Sequence, residues 1–308
     1  MNSISVASIS PEISVVIPSF NHRGVIQTIE SVLSQDPSNF EIIVVDNSTD
    51  PTLWQVLTKS YGINQKVKLI KPEKNLGVTG GRNVGLHHAS QESRYILFLD
   101  HDILLEAHAL SALKKAAESD LRIGIVTGKI LFSEDPGQVW SAGTSINLLT
   151  GQIHFTGGKD QGQFEETKEV QVAPSIIFTK KKVLEKIGGF DDIFFAVYED
   201  TDFCFRAHDA GFKVIYSPQA RAYHKIPLEA EEWKNRLLSR TYYIGRNRII
   251  FMKRHSRYFK WFLLLVPVYF FYYMTFSVRS GRFDGIKNFL KGTLSGLRVA
   301  FGNVRVNT

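Results

Sequence analysis

Two aspartates that end a short apolar segment are the first residues in this sequence whose spacing suggests chemistry. Asp100 and Asp102 follow the segment Tyr95–Leu99 and are separated by His101. An Asp-x-Asp spacing allows both carboxylates to turn to the same side of an extended chain. Such a pair can hold Mg²⁺ or Mn²⁺, which prefer oxygen ligands and share their coordination shell with substrate phosphates. The structural alternative is an ordinary turn, in which aspartate is common.

Three acids and one histidine later in the chain form a second group of candidates. Glu199, Asp200 and Asp202 open a helix-like segment, and His224 ends the apolar segment 220–223. Acids in the first turn of a helix also answer the helix dipole, and a lone histidine is usually an ordinary surface or core side chain. Histidine is nevertheless a ready metal ligand. The functional and structural explanations both stay open at this point.

The elements that must position these residues form an alternating pattern. Apolar segments rich in β-branched residues predict strands at 13–18, 42–45, 67–70, 95–99 and 123–126, and helices fit at about 24–35, 52–61, 81–89 and 107–118. This alternation predicts an α/β fold with a mostly parallel sheet and helices on both faces. Ligands bind beyond the carboxyl ends of strands in such sheets. The polar residues found there are Ser19, Asn21, Asp46, Asn47, Asp100 and Asp102.

The second half of the chain is less regular. Residues 133–170 are rich in Gly, Gln, Asp and Glu and predict loops and short strands over the sheet. A strand at 175–179, helices at 181–187 and 199–210, and closing strands at 213–216 and 220–223 follow. A single helix is predicted from 229 to about 254.

Charge is distributed unevenly along the 308 residues. The net charge is +7, but the part from Arg240 onward carries thirteen Lys and Arg and a single acid, Asp284. A basic segment of this kind suits an anionic surface, either nucleic acid or anionic lipid. The one cysteine, Cys204, excludes a disulfide within the chain and favours a reducing compartment. The first eleven residues show no secretory signal.

The apolar content of this basic segment favours lipid over nucleic acid. Residues 261–278 carry no formal charge and would span about 27 Å as a helix, although Pro267 interrupts them. Basic clusters flank the segment on both sides, which disfavours a simple crossing. The stretch 283–301 then has apolar residues at helical spacing and a basic polar face. In-plane or re-entrant attachment, a true span, and packing on the chain's own core or a partner subunit all stay open.

The ordered motifs resemble the family 2 glycosyltransferases, especially their rhamnosyltransferase-like branch. The resemblance extends over most of the chain, from about 13 to 254, and its motifs lie at 16–21, 42–50, 75–83, 100–102, 188–191, 199–202 and 223–224. It implies a GT-A fold that binds a nucleotide-diphospho-sugar and transfers the sugar with inversion. We expect the chain to divide into a GT-A catalytic domain, 1–228, and a helical, basic, membrane-associating region, 229–308. The nucleotide-binding half would be about 10–130 and the acceptor-side half 131–228.

The resemblance implies donor-binding roles for residues at the ends of several strands. Ser19 and Asn21 should lie under the nucleotide, and Asp46 should accept a hydrogen bond from the base. Asp100 should contact the ribose or a metal-bound water. The loop and helix start that face the ribose and diphosphate should contain Asn75, Gly80, Gly81, Arg82 and Asn83. Helix starts suit phosphate because their free N–H groups point outward.

The resemblance also implies the metal and catalytic residues. Asp102 should bind Mn²⁺ or Mg²⁺ directly, with His224 as a further ligand, and Asp200 should be the catalytic base. Glu199 and Asp202 are assigned to the acceptor side, with support of the helix start as the alternative for Asp202. Inversion needs one base and no carboxylate nucleophile.

Two departures from the family pattern leave the donor sugar open. His101 stands where relatives often carry Asn, and the stretch 171–175 lacks the Asp and the Gly-Ala pair that many relatives have there. The expectation that the sugar is rhamnose or another deoxy sugar therefore comes only from the resemblance to this branch. The stretch 171–175, which borders the sugar in relatives, differs from theirs.

Taken together, the sequence predicts an enzyme on the cytoplasmic side of the cell membrane. Its partners would be a nucleotide-diphospho-sugar, a glycan or lipid-linked glycan, and anionic lipid, with no nucleic acid; a homo-oligomer stays open. One alternative is a sugar nucleotidyltransferase, although residues 18–24 lack the glycine-rich loop that such enzymes place after the first strand. The other is a non-catalytic membrane-attached assembly protein on a degenerate transferase scaffold.

Overall fold

A mixed sheet forms the centre of the structure, a computed structural model that describes residues 10–36, 39–226 and 230–302. Its main path has the strand order β10-β7-β6-β12-β4-β1-β2-β3. The strands are β1 Ile13–Ser19, β2 Phe40–Asp46, β3 Val67–Ile70, β4 Tyr95–Leu99, β5 Ile103–Leu105, β6 Ile123–Phe132, β7 Gln138–Ser141, β8 Thr144–Asn147, β9 Gln152–Phe155, β10 Gly158–Lys159, β11 Lys168–Glu169, β12 Ile176–Lys180 and β13 Lys213–His224. Neighbours among β3, β2, β1 and β4 are parallel, whereas β12 is antiparallel to both β4 and β6. The predicted mostly parallel sheet is confirmed.

Helices cover both faces of this sheet. They are α1 Val25–Leu33, α2 Pro51–Tyr61, α3 Gly77–His88, α4 Ala109–Glu118, α5 Lys181–Ile187, α6 Glu199–Asp209, α7 Ala230–Ser239, α8 Thr241–His255, α9 Phe259–Arg279 and α10 Phe283–Phe301, with a 3₁₀ turn at Asp192–Phe194. All seven residues of β1 and of β2 are buried, as expected for parallel strands between two helical layers.

Successive residues of the central strands enter different cores, because side chains of a strand alternate between the two faces. On β1, Val15 and Ile17 pack with α1 and α4, whereas Val16 packs on the other side. Helix α3 approaches that side very closely: a Cβ added to Gly85 would lie 2.2 Å from Val16 Cγ1. The sheet therefore holds its strand ends, and the polar residues that follow them, in a fixed frame.

Three predicted boundaries differ from the structure. Helix α3 begins at Gly77, not at 81, because Gly77 adopts φ +70° and supplies the turn that the Gly80-Gly81 pair was expected to make. The two closing strands are one strand, β13, with a register shift between Ser217 and Arg221. The described part of the predicted helix 229–254 is two helices that meet at Arg240.

The break between α7 and α8 has a side-chain cause. The hydroxyl of Thr241 lies 2.8 Å from the carbonyl oxygens of both Leu238 and Gly285. Such side-chain bonding competes with the regular helical ladder. It also ties the start of α8 to α10.

The last three helices pack on the part of the protein that contains the sheet and on one another. Helices α8 and α10 touch through glycines: a Cβ on Gly292 would lie 2.0 Å from the carbonyl oxygen of Tyr242, and one on Gly296 would lie 2.6 Å from that of Arg246. Helix α9 is the only described helix long and apolar enough to cross a membrane, with a mean hydropathy of 1.6 over its best window. Length and composition alone are weak evidence of a span.

Candidate active site

The carboxyl ends of β1 and β2 place Ser19 beside Asp46. The two residues are register partners in the parallel ladder, and both are buried. The Ser19 hydroxyl has no hydrogen-bond partner, whereas Asp46 accepts hydrogen bonds from the Lys71 ammonium at 2.8 Å and from the Ser48 N–H at 3.0 Å. Asn21 lies in the following turn with φ +48° and donates its N–H to the Ser48 hydroxyl at 2.7 Å. The three residues predicted to bind the nucleotide thus lie at one edge of the sheet.

Four of the five residues predicted to form the diphosphate loop, Gly80, Gly81, Arg82 and Asn83, lie inside helix α3, and only Asn75 precedes it. The N–H of Gly80 donates to the carbonyl of Leu76 at 3.2 Å, so it is not a free helix-start donor. A Cβ on Gly81 would lie 2.6 Å from the side-chain nitrogen of Asn47, so this glycine serves close packing. Asn75 accepts a hydrogen bond from the N–H of Gly77 at 2.8 Å and shapes the turn before the helix.

Asn83 binds another part of the chain. Its amide exchanges hydrogen bonds of 2.8 and 2.9 Å with the main chain of Phe190, and it also donates to Asp192 at 2.8 Å. The side chain therefore fixes the turn that precedes the acidic helix α6.

Arg82 is a buried cation that joins two predicted site residues. Its Nη2 lies 2.7 Å from Asp100 Oδ1, and its Nη1 lies 3.2 Å from Glu199 Oε1. Its guanidinium also lies over the ring of Phe190, 5.0 Å from the centroid. Although burial alone lowers it, the charges of Asp100 and Glu199 hold the pKa of Arg82 above its ordinary value. The end of β4 and the start of α6 are thus bridged by one side chain.

Two adjacent acids at the start of α6 have raised pKa values. Burial and the neighbouring Asp200 charge raise the pKa of Glu199 to about 7. Burial also raises the pKa of Asp200, against the opposing charge of Arg82. Asp200 accepts hydrogen bonds from the N–H and hydroxyl of Thr201, at 2.6 and 3.1 Å. A carboxylate whose pKa is shifted towards neutrality is suited to accept a proton at physiological pH.

Asp102 and His224 lie together although 121 residues separate them in the sequence. Strand β5, which follows Asp102, pairs antiparallel with β13 so that Ile103 is opposite His224, and the N–H of Lys225 donates to the Asp102 carbonyl at 2.8 Å. His224 Nε2 consequently lies 3.3 Å from Asp102 Oδ1. Although burial alone raises it, His224 and the nearby His101 hold the pKa of Asp102 below its usual range.

The donor set at this point fits a divalent metal ion. The side chains of Asp102 and His224 are both buried, and neither ring nitrogen of His224 has a well-formed hydrogen bond. A negative carboxylate beside a free imidazole nitrogen offers one oxygen and one nitrogen ligand. Across residues 10–36, 39–226 and 230–302, no group of three or more His, Cys, Asp or Glu side chains converges as a complete metal site. Two protein ligands leave the rest of a coordination shell to substrate phosphate and water.

Asp202 faces away from these groups. Its carboxylate accepts hydrogen bonds from Arg206 at 2.8 Å and from His255 at 2.9 Å, and Arg254 lies 3.6 Å away. Although burial alone raises it, these partners hold the pKa of Asp202 below its ordinary value. The structure therefore places Asp202 in a bridge between α6 and α8, which is the arrangement expected if it supports the helix.

A strained loop precedes the acidic helix. Val197 and Tyr198 both have positive φ, +67° and +74°, which is costly for a β-branched residue. The side-chain amide of Asn247, on α8, donates to the carbonyls of Ala196 at 2.7 Å and of Val197 at 2.8 Å. Arg248 also donates to the Tyr198 hydroxyl at 3.1 Å. Helix α8 thus holds the loop that aims Glu199 and Asp200.

A surface hollow of about 520 Å³ lies away from these residues, lined by Arg94, Tyr95 and Lys180 among others. It is found where β4 begins, at the end of that strand opposite to Asp100. None of the predicted site residues lines it. We therefore do not consider it the active site.

The sequence matches the model of one protein family, described as glycosyl transferase family 2, over residues 14–188. The matched segment is more than half of the chain. The protein belongs to glycosyl transferase family 2.

Two curated proteins that are similar to this chain are named as transferases. The probable glycosyltransferase YdaM of Bacillus subtilis (strain 168) is 26% identical over 256 residues, which cover 81% of this chain and 58% of YdaM. The dTDP-rhamnosyl transferase RfbF of Shigella flexneri is 26% identical over 190 residues, which cover 61% of this chain and 60% of RfbF. The chain thus spans about six tenths of the length of these relatives.

The family 2 protein also shares its fold with a solved transferase. The mannosyltransferase PcManGT from Pyrobaculum calidifontis, in complex with GDP-Man and Mn²⁺, superposes with a TM-score of 0.56 at 16% identity, over 96% of this chain and 77% of that one. At this identity the likeness establishes the GT-A-like fold. The expectation of that fold is confirmed.

Sequence reasoning missed several residues around the site of this family 2 protein. Arg236, on α7, lies 3.3 Å from Asp102 Oδ2. The His22 ring lies 4.6 Å from the His101 ring, centroid to centroid, at an interplanar angle of 43°. No sequence motif singles out Arg236 or Asn247, because both belong to helices whose docking on the sheet is set by tertiary packing. His22 follows the first strand directly, and its position there is a signal that could have found it.

Proposed function

We propose that this family 2 protein is an inverting, metal-assisted glycosyltransferase. It moves a sugar from a nucleotide-diphospho-sugar to a hydroxyl group of a glycan or lipid-linked glycan. The observation that carries the proposal is the 3.3 Å approach of His224 Nε2 to Asp102 Oδ1, at the same strand ends where Arg82 joins Asp100 to the acidic helix. The name of RfbF and the ligands of PcManGT support this choice of reaction.

The donor's nucleotide is assigned to the ends of β1 and β2. The buried Ser19 hydroxyl lacks a partner, and a buried hydroxyl is normally satisfied. Asp46 uses part of its acceptor capacity on Lys71 and Ser48, and a carboxylate has about four lone-pair sites, so it can still accept from a base N–H. Asn21 lies exposed at the rim, in position to contact the nucleotide.

The diphosphate is assigned to the space next to Asp102 and His224, which would hold Mn²⁺ or Mg²⁺. When bound, the ion would neutralise the negative charge that develops on the departing diphosphate. Arg82, although assigned to the diphosphate by family resemblance, is committed to Asp100 and Glu199. We therefore propose that Arg82 acts by fixing these carboxylates. Asn75, Gly80, Gly81 and Asn83 then serve the placement of α3 beneath the donor.

Asp200 is proposed as the catalytic base. The bond between the anomeric carbon and the diphosphate oxygen breaks with its electron pair leaving on the diphosphate. The acceptor oxygen bonds to the same carbon from the opposite face, and its proton passes to Asp200. Such transfer has an oxocarbenium-like transition state, and base assistance of this kind gives roughly 10²–10⁴-fold. Glu199 shares the raised pKa of the pair and lies on the acceptor side.

The donor sugar is proposed to be rhamnose or a related deoxy sugar, in line with the printed name of RfbF. The stretch 171–175 borders the site in this structure, because the carbonyl of Ser175 accepts the N–H of Asp100 at 3.1 Å. Ser175 itself has φ +56°. Because the stretch 171–175 departs from the family pattern, we propose that it selects the sugar.

The enzyme is proposed to act on the cytoplasmic side of the cell membrane. Donor nucleotide-sugars are charged, water-soluble molecules, and lipid-linked acceptors are held at the bilayer surface. The basic C-terminal part, from Arg240 onward, suits a surface of anionic lipid.

A donor screen followed by transfer tests the proposal. The purified chain is incubated with a panel of nucleotide-diphospho-sugars, with and without Mn²⁺, and thermal shifts identify the donor. That donor and lipid-linked acceptors then give a product whose anomeric configuration is read by NMR. We expect metal-dependent donor binding and an inverted product. Absence of metal-dependent binding to every donor, or a retained configuration, would overturn the proposal.

A further inference from the structure

Helix α9 exposes one continuous apolar stripe. The exposed positions recur every three or four residues along the helix: Trp261, Leu264, Pro267, Val268, Phe271, Tyr272, Thr275 and Val278. No charged residue interrupts the stripe, and it ends at Lys260 and Arg279. Trp261 is 65% exposed and Phe271 is 59% exposed. A run of large apolar side chains facing water marks an interaction surface.

The opposite side of α9 contacts the folded protein at several points. Phe262 is buried in a core cluster that also contains Tyr198, next to the acidic helix. The Tyr269 hydroxyl donates to the carbonyl of Thr150 at 2.8 Å, and the ring of Tyr273 stacks on Phe289 at 4.5 Å. Helix α9 therefore packs on the rest of the protein with one side and exposes the other.

This attachment decides between crossing a bilayer and lying on it. If α9 crossed the bilayer, the loop around Thr150 would have to enter the hydrocarbon with it. Polar loop backbone is not tolerated there. A helix that shows lipid only one face and holds a protein domain on the other lies in the plane of the interface.

Helix α10 adds positive charge to the same hairpin. It runs antiparallel to α9, since Phe301 lies 5.8 Å from Phe259 and Phe289 lies against Tyr273. Its exposed side mixes apolar residues with cations, in the order Phe283, Lys287, Leu290, Lys291, Leu294, Arg298 and Phe301. The one exposed acid of this helix, Asp284, is paired with Arg282. Anionic lipid headgroups complement this surface, whereas a second copy of it would bring like charges together.

We propose that the α9–α10 hairpin is a monotopic lipid-binding surface that lies flat on an anionic membrane, with the stripe from Trp261 to Val278 inserted to the level of the headgroup boundary. The surface requires no transfer activity, so its test is independent of the proposed function.

Vesicle sedimentation tests the surface. The full chain is mixed with vesicles of phosphatidylcholine, with or without phosphatidylglycerol. We expect binding that needs the anionic lipid and weakens with salt. Leu264→Glu and Phe271→Glu should each weaken binding by roughly tenfold or more. Leu121→Glu and Ile63→Glu, at residues 84% and 98% exposed on the catalytic part, are the matched controls and should leave binding unchanged.

A charge-reversal pair tests the role of the cations. Lys287→Glu with Lys291→Glu should reduce binding to anionic vesicles by roughly tenfold or more, since each cation near such a surface contributes about a fivefold factor. Lys59→Glu with Lys115→Glu, exposed lysines of α2 and α4, is the matched control. Equal loss in both pairs would show that only net charge matters and would overturn the surface.

Depth measurements distinguish lying flat from crossing. The only native cysteine, Cys204, is buried, so single cysteines introduced as Trp261→Cys, Val268→Cys and Thr275→Cys can carry a fluorescent label. Lipids with quenchers at different depths should report the same shallow depth at all three positions. A label at 268 that lies deeper than those at 261 and 275 would indicate a span and overturn the proposal. Dimerisation without vesicle binding, seen by light scattering, would assign the stripe to a second copy and overturn it too.

Discussion

Arg82 Nη1 lies 3.2 Å from Glu199 Oε1, although the two residues belong to opposite halves of the catalytic part. Both side chains are buried, so this contact sits in surroundings of low polarity. Since Arg82 also holds Asp100, one guanidinium sets the positions of a strand-end carboxylate and of the acidic helix. The ion pair therefore links the donor half of the site to the half that carries the proposed base.

Replacing Arg82 should destabilise the protein strongly. Arg82→Met leaves Asp100, Glu199 and Asp200 without their cation, and removing one partner of a buried pair costs about 3–5 kcal/mol. Urea denaturation measures the loss. Arg94→Met is the matched control, because Arg94 forms an exposed pair with Glu12 and should cost no more than about 1 kcal/mol.

The loss in Arg82→Met should also depend on pH. Glu199 and Asp200 have folded pKa values above their ordinary values, and removing the opposing charge of Arg82 raises them further. The folded state therefore gains by protonation and loses stability as pH rises through those values. The deficit should be larger at about pH 8 than at about pH 5. A deficit that stays constant over this range would contradict the assignment of Arg82 as their counter-ion.

The pH dependence of transfer should reflect the Glu199–Asp200 pair. Because the pKa of Glu199 is raised to about 7, kcat/KM should fall as pH decreases through this region and the pair takes up a proton. Glu199→Gln removes one acid, lowers the pKa of Asp200 and moves the acidic limb to lower pH. Glu134→Gln, at an exposed loop position, should leave the limb in place. An acidic limb of the pH profile that is unchanged in Glu199→Gln would contradict the coupled titration of Glu199 and Asp200.

Substitution of the proposed base and of the proposed metal ligand should have separable effects. Asp200→Asn should lower kcat by roughly 10²–10⁴-fold while leaving donor affinity intact, because it removes a proton acceptor and keeps the shape. Asp102→Ala should weaken metal-dependent donor binding, since it removes a ligand of the ion. Calorimetric titration of the donor with Mn²⁺, beside turnover assays, separates the two. Full turnover in either variant would refute these roles.

Most of the fold was predictable because it depends on local pattern. The five apolar segments between 13 and 126 are all strands, since β-branched residues in short runs fit buried parallel sheets. Strand β5 was not predicted, because three residues carry no periodicity. The break at Thr241 was missed too, since its hydroxyl reaches Gly285, which is 44 residues further along the chain.

The site was predictable as a set of residues but less so as a set of contacts. The pairing of Asp102 with His224 was implied by the family resemblance, and the structure produces their approach through the antiparallel pairing of β5 with β13. The pairing of Arg82 with Asp100 and Glu199 was not implied, because it depends on how close α3 lies to β1, a distance set by the glycines of α3. The sequence therefore assigned Arg82 to the diphosphate of the donor, whereas in the structure Arg82 forms ion pairs with Asp100 and Glu199.

The metal preference should depend on His224. An imidazole is a better ligand for Mn²⁺ than for Mg²⁺, which demands oxygen ligands. Donor affinity should therefore be higher with Mn²⁺ in the native protein, and His224→Asp, which supplies an oxygen ligand, should shift the preference towards Mg²⁺. Donor binding titrated with each ion measures the ratio. His154→Asp, at an exposed position of β9, is the control, and an identical ion preference in all three proteins would remove His224 from the metal site.

Substitution of Asn247 should impair catalysis without touching the donor. Its amide donates to the carbonyls of Ala196 and Val197, and these bonds hold a β-branched residue at positive φ just before the proposed base. Asn247→Ala frees the loop to relax, so the loss should lie in kcat with donor affinity nearly unchanged. Asn247→Asp should lower kcat and stability further, because a buried carboxylate would face two carbonyl oxygens and cost more than a missing donor.

Turnover assays, donor titration and urea denaturation measure kcat, donor affinity and stability in these variants. Asn235→Ala, at an exposed asparagine of α7, is the control. Equal losses of kcat and of donor affinity in Asn247→Ala would show that the residue only stabilises the fold and would reject its role in aiming Asp200.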